Sequence, residues 1–193
     1  MPDRAPSPKR DAILAAALEV FAERGVRGVA VPEIAARASV GTGTIYRYFA
    51  SKDVLVNELF REHKRALGAR LDAAFRRPSD PPQQQFAQFW AALVAFVRED
   101  PAAYRFLELQ DHLSYLDDES RRVERELLEP MGAGVSRLQR SGSLRDDLRH
   151  EVVMAMIWGA FVNLFKAERQ GYLVLTDDDL AAARDGCWRM IAL

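Results

Sequence analysis

The chain has 193 residues, of which 49% are hydrophobic and 28% charged, and its formal net charge is −1. This balance excludes an intrinsically disordered chain, which would be poor in apolar residues, and a uniformly basic nucleic-acid coat protein. The single cysteine, Cys187, excludes intramolecular disulfides and multi-cysteine metal sites. The N-terminus lacks the apolar segment of a secretory signal, and the apolar stretch at 152–165 is too short to span a bilayer. We therefore expect a soluble cytoplasmic protein with no membrane partner.

Helical patterns follow one another along the chain without sustained strand-like alternation. In the N-terminal part we predict helices at about 8–24, 32–38 and 43–49, with Thr42 as the N-cap of the third. The first helix ends at Gly25 and carries an apolar stripe made of Ile13, Leu14, Ala17, Leu18 and Phe21. A fourth helix, capped by Ser51, is expected to reach Phe75 or Arg76 before a proline-rich break.

Five further helices are predicted, at about 83–99, 101–113, 117–142, 148–170 and from 176 to near the C-terminus. Asp117 is expected to cap the seventh helix, Pro130 to kink or interrupt it, and Gly142 to end it. Thr176 and Asp179 have the spacing of a capping box at the start of the ninth. The sequence thus predicts an all-α protein of about nine helices.

Two short helices joined by a tight turn make residues 31–52 the informative part of the chain. Such short helices need longer ones to hold them, and the first and fourth helices can do so. This is the anatomy of a helix-turn-helix, whose second helix enters the DNA major groove. On a helical wheel Ile45 and Phe49 share the core face of the third helix, which leaves Gly43, Thr44 and Arg47 on the solvent face.

The chemistry of these exposed residues predicts DNA contacts. Glycine permits close approach of the backbone, a threonine methyl can contact thymine, and arginine can donate two hydrogen bonds to guanine. Tyrosine hydroxyls and the Lys52 ammonium can reach phosphates. The candidate DNA-binding residues are Thr42, Gly43, Thr44, Tyr46, Arg47, Tyr48 and Lys52. From the residues alone, a solvated helical hairpin explains the pattern about equally well.

Residues 10–60 resemble the N-terminal domain of TetR/AcrR-type bacterial transcriptional regulators. The matching positions are Ile13, Ala17, Phe21, Gly25, Ile34, Ala35, Ala38, Val40, Gly43 to Phe49, Ser51 to Asp53, and Leu55. The resemblance implies a helix-turn-helix DNA-binding domain at 1–52, followed by a helical effector-binding and dimerisation domain at 53–193. It also implies a homodimeric repressor that binds a palindromic operator in double-stranded DNA and is released by a small effector.

Two positions depart from the family's pattern. Where the family usually has Gly-Val-Ser in the turn, this chain has Ser39-Val40-Gly41, so we expect a strained backbone at Ser39. Where the family often has threonine before the second helix, Val29, Ala30 and Val31 offer no hydroxyl to cap the helix or meet a phosphate. We therefore expect the third and fourth helices to make more of the phosphate contacts.

The C-terminal part contains a helix that is apolar nearly all round, at about 148–170. Such a helix should be buried on several sides, as a core helix or at a dimer interface, and Asn163 on it should need a buried partner. By the family resemblance we assign the dimer interface to Ile157, Phe161, Leu164, Phe165, Leu180 and Cys187. Large apolar side chains with few polar neighbours suggest a hydrophobic or aromatic effector. Its candidate contacts are Trp90, Tyr104, His112, Tyr115, Met154 and Trp158.

The main alternative is an enzyme or a helical small-molecule-binding protein without specific DNA binding. No HExxH or G-x-S-x-G motif is present, and the three histidines have no evident nucleophile partner. Glu108 and His112 could share a metal, although a lone pair at this spacing is more often a helix-surface pair. A purely structural dimer would leave the exposed pattern on the third helix unexplained. The sequence therefore favours a regulator with no catalytic residues, no metal site and no cofactor.

Overall fold

The computed structural model describes residues 7–74, 80–110, 112 and 114–193. Within these ranges the regular structure is helical, and one isolated bridge joins Leu144 to Ala192. The helices are α1 (Pro8–Arg24), α2 (Val31–Arg37), α3 (Thr42–Tyr48), α4 (Lys52–Ala74), α5 (Pro82–Glu99), α6 (Pro101–Glu108), α7 (Asp118–Arg140), α8 (His150–Arg169) and α9 (Asp177–Ile191). The predicted all-α fold class is confirmed. None of the described helices is long and apolar enough to cross a membrane.

Three predicted helix ends are confirmed by their capping hydrogen bonds. Ser51 Oγ accepts from the Val54 backbone N–H at 3.2 Å, and Asp117 Oδ1 accepts from the Ser120 N–H at 2.8 Å. At α9, Thr176 Oγ1 accepts from the Asp179 N–H at 3.2 Å while the Asp179 carboxylate accepts from the Thr176 N–H at 3.0 Å. These bonds satisfy backbone donors that have no partner within the first turn of a helix.

Three other predicted boundaries were wrong. Gly41, not Thr42, is the N-cap of α3, because Gly41 is the last extended residue and its carbonyl accepts from the Thr44 N–H at 2.8 Å. Helix α6 ends at Glu108, not near residue 113, which lies outside the described residues, as does the predicted end of α4. Helix α7 continues through Pro130, so the predicted interruption did not occur, since one missing N–H removes one hydrogen bond of a 23-residue helix; the alternative, a kink at Pro130, stays a prediction.

The chain forms two compact units. The first comprises the described residues of Met1–Ala66 and Val97–Val123, and the second those of Leu67–Phe96 and Glu124–Leu193. Helices α4, α5 and α7 therefore each run from one unit into the other. Residues 97–123 belong to the same unit as the helix-turn-helix, which the sequence did not indicate. The functional division into a DNA-binding part at 1–52 and an effector part at 53–193 stays a prediction.

In the first unit, α1 packs against α2 and α6, and α2 packs against α3. The predicted apolar stripe of α1 is buried throughout. The rings of Phe21 and Phe106 are stacked with their centroids 6.1 Å apart, and both side chains are fully buried. Burying two such rings contributes about 3–6 kcal/mol, so this contact is a major part of what joins α6 to α1.

In the second unit, α8 packs against α9 and is buried along a single stripe. The stripe consists of Val153, Ile157, Phe161 and Phe165, spaced four residues apart. In the single chain the rest of the apolar surface of α8 is only partly covered, so burial on several sides, as at a dimer interface, stays a prediction. Asn163 is exposed, so it has no need of a buried partner within the chain.

Ser39, in the turn between α2 and α3, has a φ of +53°. The strained backbone predicted at this position is confirmed, because a side chain disfavours the left-handed region. The Ser39 side chain is exposed, so substitutions there act mainly through the backbone.

We predict that Ser39→Gly leaves the free energy of unfolding unchanged or raises it by up to about 1 kcal/mol, because relief of strain outweighs the added chain entropy. Ser39→Val should lower it by about 1–2 kcal/mol, because a β-branched side chain tolerates this conformation least. Urea unfolding followed by circular dichroism measures both variants. Equal stabilities of the two variants would contradict the strain.

Candidate nucleic-acid interface

Helix α3 is oriented by two buried side chains. Ile45 and Phe49 are 1% and 0% exposed, as the helical wheel predicted. This packing turns Gly43, Tyr46 and Arg47 to the exposed side of α3, where the Tyr46 side chain is 51% exposed. Thr42, Thr44 and Tyr48 are half-buried at its flanks, so Thr44, which the wheel placed on the solvent face, is less exposed than predicted and Tyr46 more so. The structure therefore brings six of the seven predicted DNA-binding residues onto one short helix with small, hydroxyl and guanidinium groups facing outward.

Backbone hydrogen bonds set the turn that leads into α3. The Val40 N–H donates to the Ala35 carbonyl at 2.9 Å, and the Ala38 N–H donates to the Ile34 carbonyl at 2.9 Å. Ile34 and Ala35 are buried, so the end of α2 is held in the core of the first unit. The left-handed residue Ser39 lies between these bonds and reverses the chain direction. The turn and α3 are thus positioned by the core and not by their own short hydrogen-bond ladder.

Tyr48 connects α3 to the residue that precedes α1. Its phenol oxygen lies 3.0 Å from Ser7 Oγ. The Arg47 guanidinium lies over the Tyr48 ring, 5.3 Å from its centroid. The hydrogen bond to Ser7, reinforced by the adjacent Arg47, holds the pKa of the Tyr48 phenol below its usual value. Tyr48 therefore presents a polarised hydroxyl beside a cation, an arrangement suited to an anionic phosphate.

Lys52, the seventh predicted contact, is the first residue of α4. Its Nζ donates a 2.6 Å hydrogen bond to the carbonyl of Val29, just before α2. The ammonium has three donors, so one bond to Val29 leaves it able to meet a phosphate as well. The bond also ties the start of α4 to the start of α2, a structural role that the sequence did not indicate.

Glu33 caps α2 in place of the hydroxyl that the sequence lacks at residues 29–31. Its carboxylate accepts from the Ala30 backbone N–H at 2.8 Å and pairs with the Arg24 guanidinium. The backbone bond to Ala30, followed by the bond to Arg24, lowers the pKa of Glu33. The signal was present in the sequence, since a glutamate three residues after the N-cap is half of a capping box.

Two side-chain amides, the half-buried Gln110 and the buried Asn57, join residues 97–123 to α1 and α4. The Gln110 side chain donates to the Phe21 carbonyl at 2.6 Å and accepts from the Val26 N–H at 3.2 Å. Asn57, 3% exposed, donates to the Tyr115 carbonyl at 2.8 Å and accepts from the Asp117 N–H at 2.9 Å. Such bonds satisfy backbone groups on segments far apart in sequence. Sequence reasoning missed both residues, because a glutamine or asparagine has no distinctive pattern.

Glu108 and His112, considered above as metal ligands, instead contact other residues of the first unit. Glu108 forms a 3.0 Å ion pair with Lys64, and both side chains are 8% exposed. The His112 ring nitrogens contact the Phe106 carbonyl and the Tyr115 hydroxyl. Across the described parts of the chain no group of three acidic, histidine or cysteine side chains could hold a metal ion.

The six predicted effector contacts are divided between the two units. Tyr104, His112 and Tyr115 lie in the first unit, whereas Trp90, Met154 and Trp158 lie in the second. In the second unit, the rings of Trp90 and Phe161 are perpendicular with centroids 5.3 Å apart. The six therefore do not form one cluster within either unit.

A groove of about 330 Å³ opens in the second unit between the start of α5 and α9. It is lined by Pro81, Gln83, Gln84, Phe86, Ala87, Arg184, Asp185 and Trp188. None of the six predicted effector contacts lines it. No sequence signal locates it, because Phe86 and Trp188, whose ring centroids lie 5.7 Å apart, are paired only by the tertiary structure.

Five of the six predicted dimer-interface residues are buried inside the single chain, and Leu164 alone is half-buried. The five are Ile157, Phe161, Phe165, Leu180 and Cys187. Burial also raises the pKa of the Cys187 thiol. As described, these side chains face the chain's own interior and offer no surface to a partner. The periodicity of α8 could not show which of its apolar stripes the chain buries, because nearly every face is apolar.

Comparisons with known proteins agree with this architecture. The chain is 28% identical over 157 residues to the HTH-type transcriptional repressor KstR2 of Mycobacterium tuberculosis H37Rv, covering 77% of this chain and 76% of that protein. Its fold is similar to a TetR family transcription regulator from Marinobacter aquaeolei VT8, with a TM-score of 0.80, 22% identity and 95% of each chain covered. FadR from Bacillus subtilis, solved with stearoyl-CoA, has a TM-score of 0.68 at 24% identity, covering 93% of this chain and 96% of FadR.

Two family models match consecutive parts of the chain. Residues 13–59 match the model of bacterial regulatory proteins of the tetR family, and residues 60–193 match a tetracyclin repressor-like C-terminal domain. The first match contains the whole of α2 and α3, and the second contains α5 to α9. The chain belongs to the TetR family of bacterial regulatory proteins and is a ligand-responsive, DNA-binding transcriptional regulator.

Proposed function

We propose that the protein is a cytoplasmic homodimeric repressor that binds a palindromic operator through α3 and leaves it when a small hydrophobic effector binds. The observation that carries this proposal is the orientation of α3, whose buried Ile45 and Phe49 turn Tyr46 and Arg47 to the solvent. A recognition helix needs this arrangement, because its outer face must enter the major groove while its inner face stays in the core.

The contacts divide by chemistry. Arg47 and Thr44 read base edges, and Gly43 lets the backbone approach the groove closely. Thr42, Tyr46, Tyr48 and Lys52 bind phosphates; they set the position of the helix without reading sequence. The Ser7 bond to Tyr48 and the Val29 bond to Lys52 support this division, because they hold both side chains beside the ends of α3.

Dimerisation uses the surface of α8 that the single chain leaves uncovered. Met156, Gly159 and Asn163 lie away from the buried stripe, and each is half-buried or exposed. Glycine permits close helix approach, and an exposed asparagine can form a hydrogen bond with a second copy. This surface replaces Ile157, Phe161 and Phe165, which the chain already buries. A symmetric dimer would place two copies of α3 roughly 34–36 Å apart, one turn of DNA.

The effector acts on a chain whose helices connect its two units. Helix α4 begins at Lys52 beside α3 and continues into the second unit. An effector that binds the DNA-incompetent state better shifts the population by its coupling free energy, typically about 1–3 kcal/mol. A hydrophobic effector is supported by the apolar walls of the second unit and by the similar fold of FadR, which was solved with stearoyl-CoA.

The proposal is tested by selecting genomic fragments with the purified protein and measuring gel shifts on the enriched site at fixed salt. We expect an inverted repeat that binds two subunits. A protein refolded after denaturation serves as the control, because it has lost any copurified effector. An absence of enrichment with both preparations would overturn the proposal.

We predict that Arg47→Ala weakens specific operator binding by about 1–3 kcal/mol and relaxes the base preference at one position of each half-site, because a bidentate contact to guanine is lost. Arg122→Ala on α7 is the matched control, since it removes the same charge from an exposed residue. Binding titrations on the operator and on single-base variants give both quantities. If Arg47→Ala distinguished the single-base variants of the operator as well as the wild-type protein does, Arg47 would not contact a base.

We predict that Lys52→Ala weakens binding to all sequences alike and makes the slope of log affinity against log salt concentration shallower by about one, because one phosphate contact is lost. The variant also loses the bond to Val29, so its folding is checked by thermal unfolding before titration. A salt slope equal to that of the Arg122→Ala control would show that Lys52 does not pair with a phosphate.

A further inference from the structure

We infer that Trp90 supplies the hydrogen-bond donor of the effector site and that the groove between α5 and α9 is the entrance to it. The effector class that fits is a neutral apolar molecule with one hydrogen-bond acceptor, such as a ketone or an ester. The inference rests on the proposed function, because it gives that function's effector a place and a chemistry.

The indole N–H of Trp90 is a buried donor without an acceptor. Trp90 is 3% exposed, and its Nε1 has no hydrogen-bond partner within the described part of the chain. A buried polar group without a partner destabilises the folded state, whereas phenylalanine could occupy an apolar site without that cost. A donor kept in such a position therefore indicates an acceptor that comes from outside the chain.

The ring neighbours of Trp90 cannot provide the acceptor. The Phe161 ring is perpendicular to the indole with centroids 5.3 Å apart, and the Phe86 ring lies 6.2 Å away. Both side chains are hydrocarbon, so neither offers an acceptor to Nε1. The same rings would surround the apolar body of that molecule.

Phe86 connects Trp90 to the groove. It lines the groove together with Trp188, and the centroids of these two rings are 5.7 Å apart. The buried indole of Trp90 therefore contacts a ring, Phe86, that forms part of the groove wall. Phe86 is half-buried, so the proposed route from the groove to Trp90 passes this side chain and requires it to rotate.

The apolar part of the groove lining suits a neutral molecule. Its volume of about 330 Å³ suits a small organic molecule, and Pro81, Phe86 and Trp188 give it apolar walls. Arg184 and Asp185 form an ion pair of 2.8 Å at the groove, so their charges are directed at each other and not at a ligand. A neutral molecule with one acceptor complements both these walls and the donor behind them.

The first experiment follows the three tryptophan indole N–H signals by NMR during titration of the full chain with cyclohexanone. Methylenecyclohexane, which has the same shape without an acceptor, is the control ligand. We expect the Trp90 signal to move downfield and saturate with the ketone alone. An unchanged Trp90 signal, equal responses to both ligands, or parallel unsaturated shifts of all three indoles would each overturn the inference.

The second experiment compares Trp90→Phe with Tyr172→Phe, which removes a hydrogen-bond donor from a side chain that is 79% exposed. We expect wild-type protein and Tyr172→Phe to bind cyclohexanone about tenfold more tightly than methylenecyclohexane, because the hydrogen bond adds to the same apolar contact. Trp90→Phe should bind the two within about twofold of each other. A tenfold preference retained in Trp90→Phe would overturn the inference, and the NMR titration needs no variant that might fold poorly.

Operator binding separates this inference from the proposed function. Trp90→Phe without ligand should bind the selected operator with the wild-type affinity. Specific operator binding combined with an unresponsive Trp90 refutes the effector site alone. A responsive Trp90 in a protein that binds no operator refutes the regulator and leaves a small-molecule site.

Discussion

The packing of Ile45 and Phe49 is the contact on which the DNA-binding surface depends. A seven-residue helix is not stable by itself in water, so α3 exists because its apolar face is buried in the first unit. The same burial decides which side chains face outward. The exposed Arg47 and the half-buried Tyr48 are therefore consequences of core packing, and their chemistry becomes usable for recognition only after that packing has set their direction.

The core that positions the DNA-binding surface also includes residues 97–123, which are distant from it in sequence. Phe106 stacks on Phe21, and the amides of Gln110 and Asn57 bond to backbone groups of the α1–α2 turn and of residues 115–117. Apolar contact holds α6 on α1, while the directed bonds fix its position. The helix-turn-helix is consequently built into a larger unit, and any signal that moves α6 must act against these contacts.

In the second unit, helix α8 buries its apolar side chains along one side, whereas its other sides stay partly exposed. Its buried stripe completes a core with α9, yet Met156 and Gly159 stay partly uncovered, and the Trp90 indole has no acceptor among the described residues. The partly exposed apolar surface of α8 and the unpaired indole N–H of Trp90 call for different kinds of partner. Under the proposals above, a second copy of the chain would cover the apolar surface and a small molecule would supply the acceptor, so both proposals place their partner on the same unit.

The sequence by itself determined the helices, the caps at Ser51, Asp117 and Thr176, the strain at Ser39 and the outward face of α3. Each of these follows from residues close together along the chain, where periodicity and capping chemistry act. Tertiary structure alone decided that 97–123 belongs with the N-terminal helices, that α8 buries the stripe containing Phe161, and that Trp90 finds no acceptor in the described part of the chain. Those features depend on which distant segments meet, and a helix that is apolar on nearly every face does not specify in advance which face it will bury.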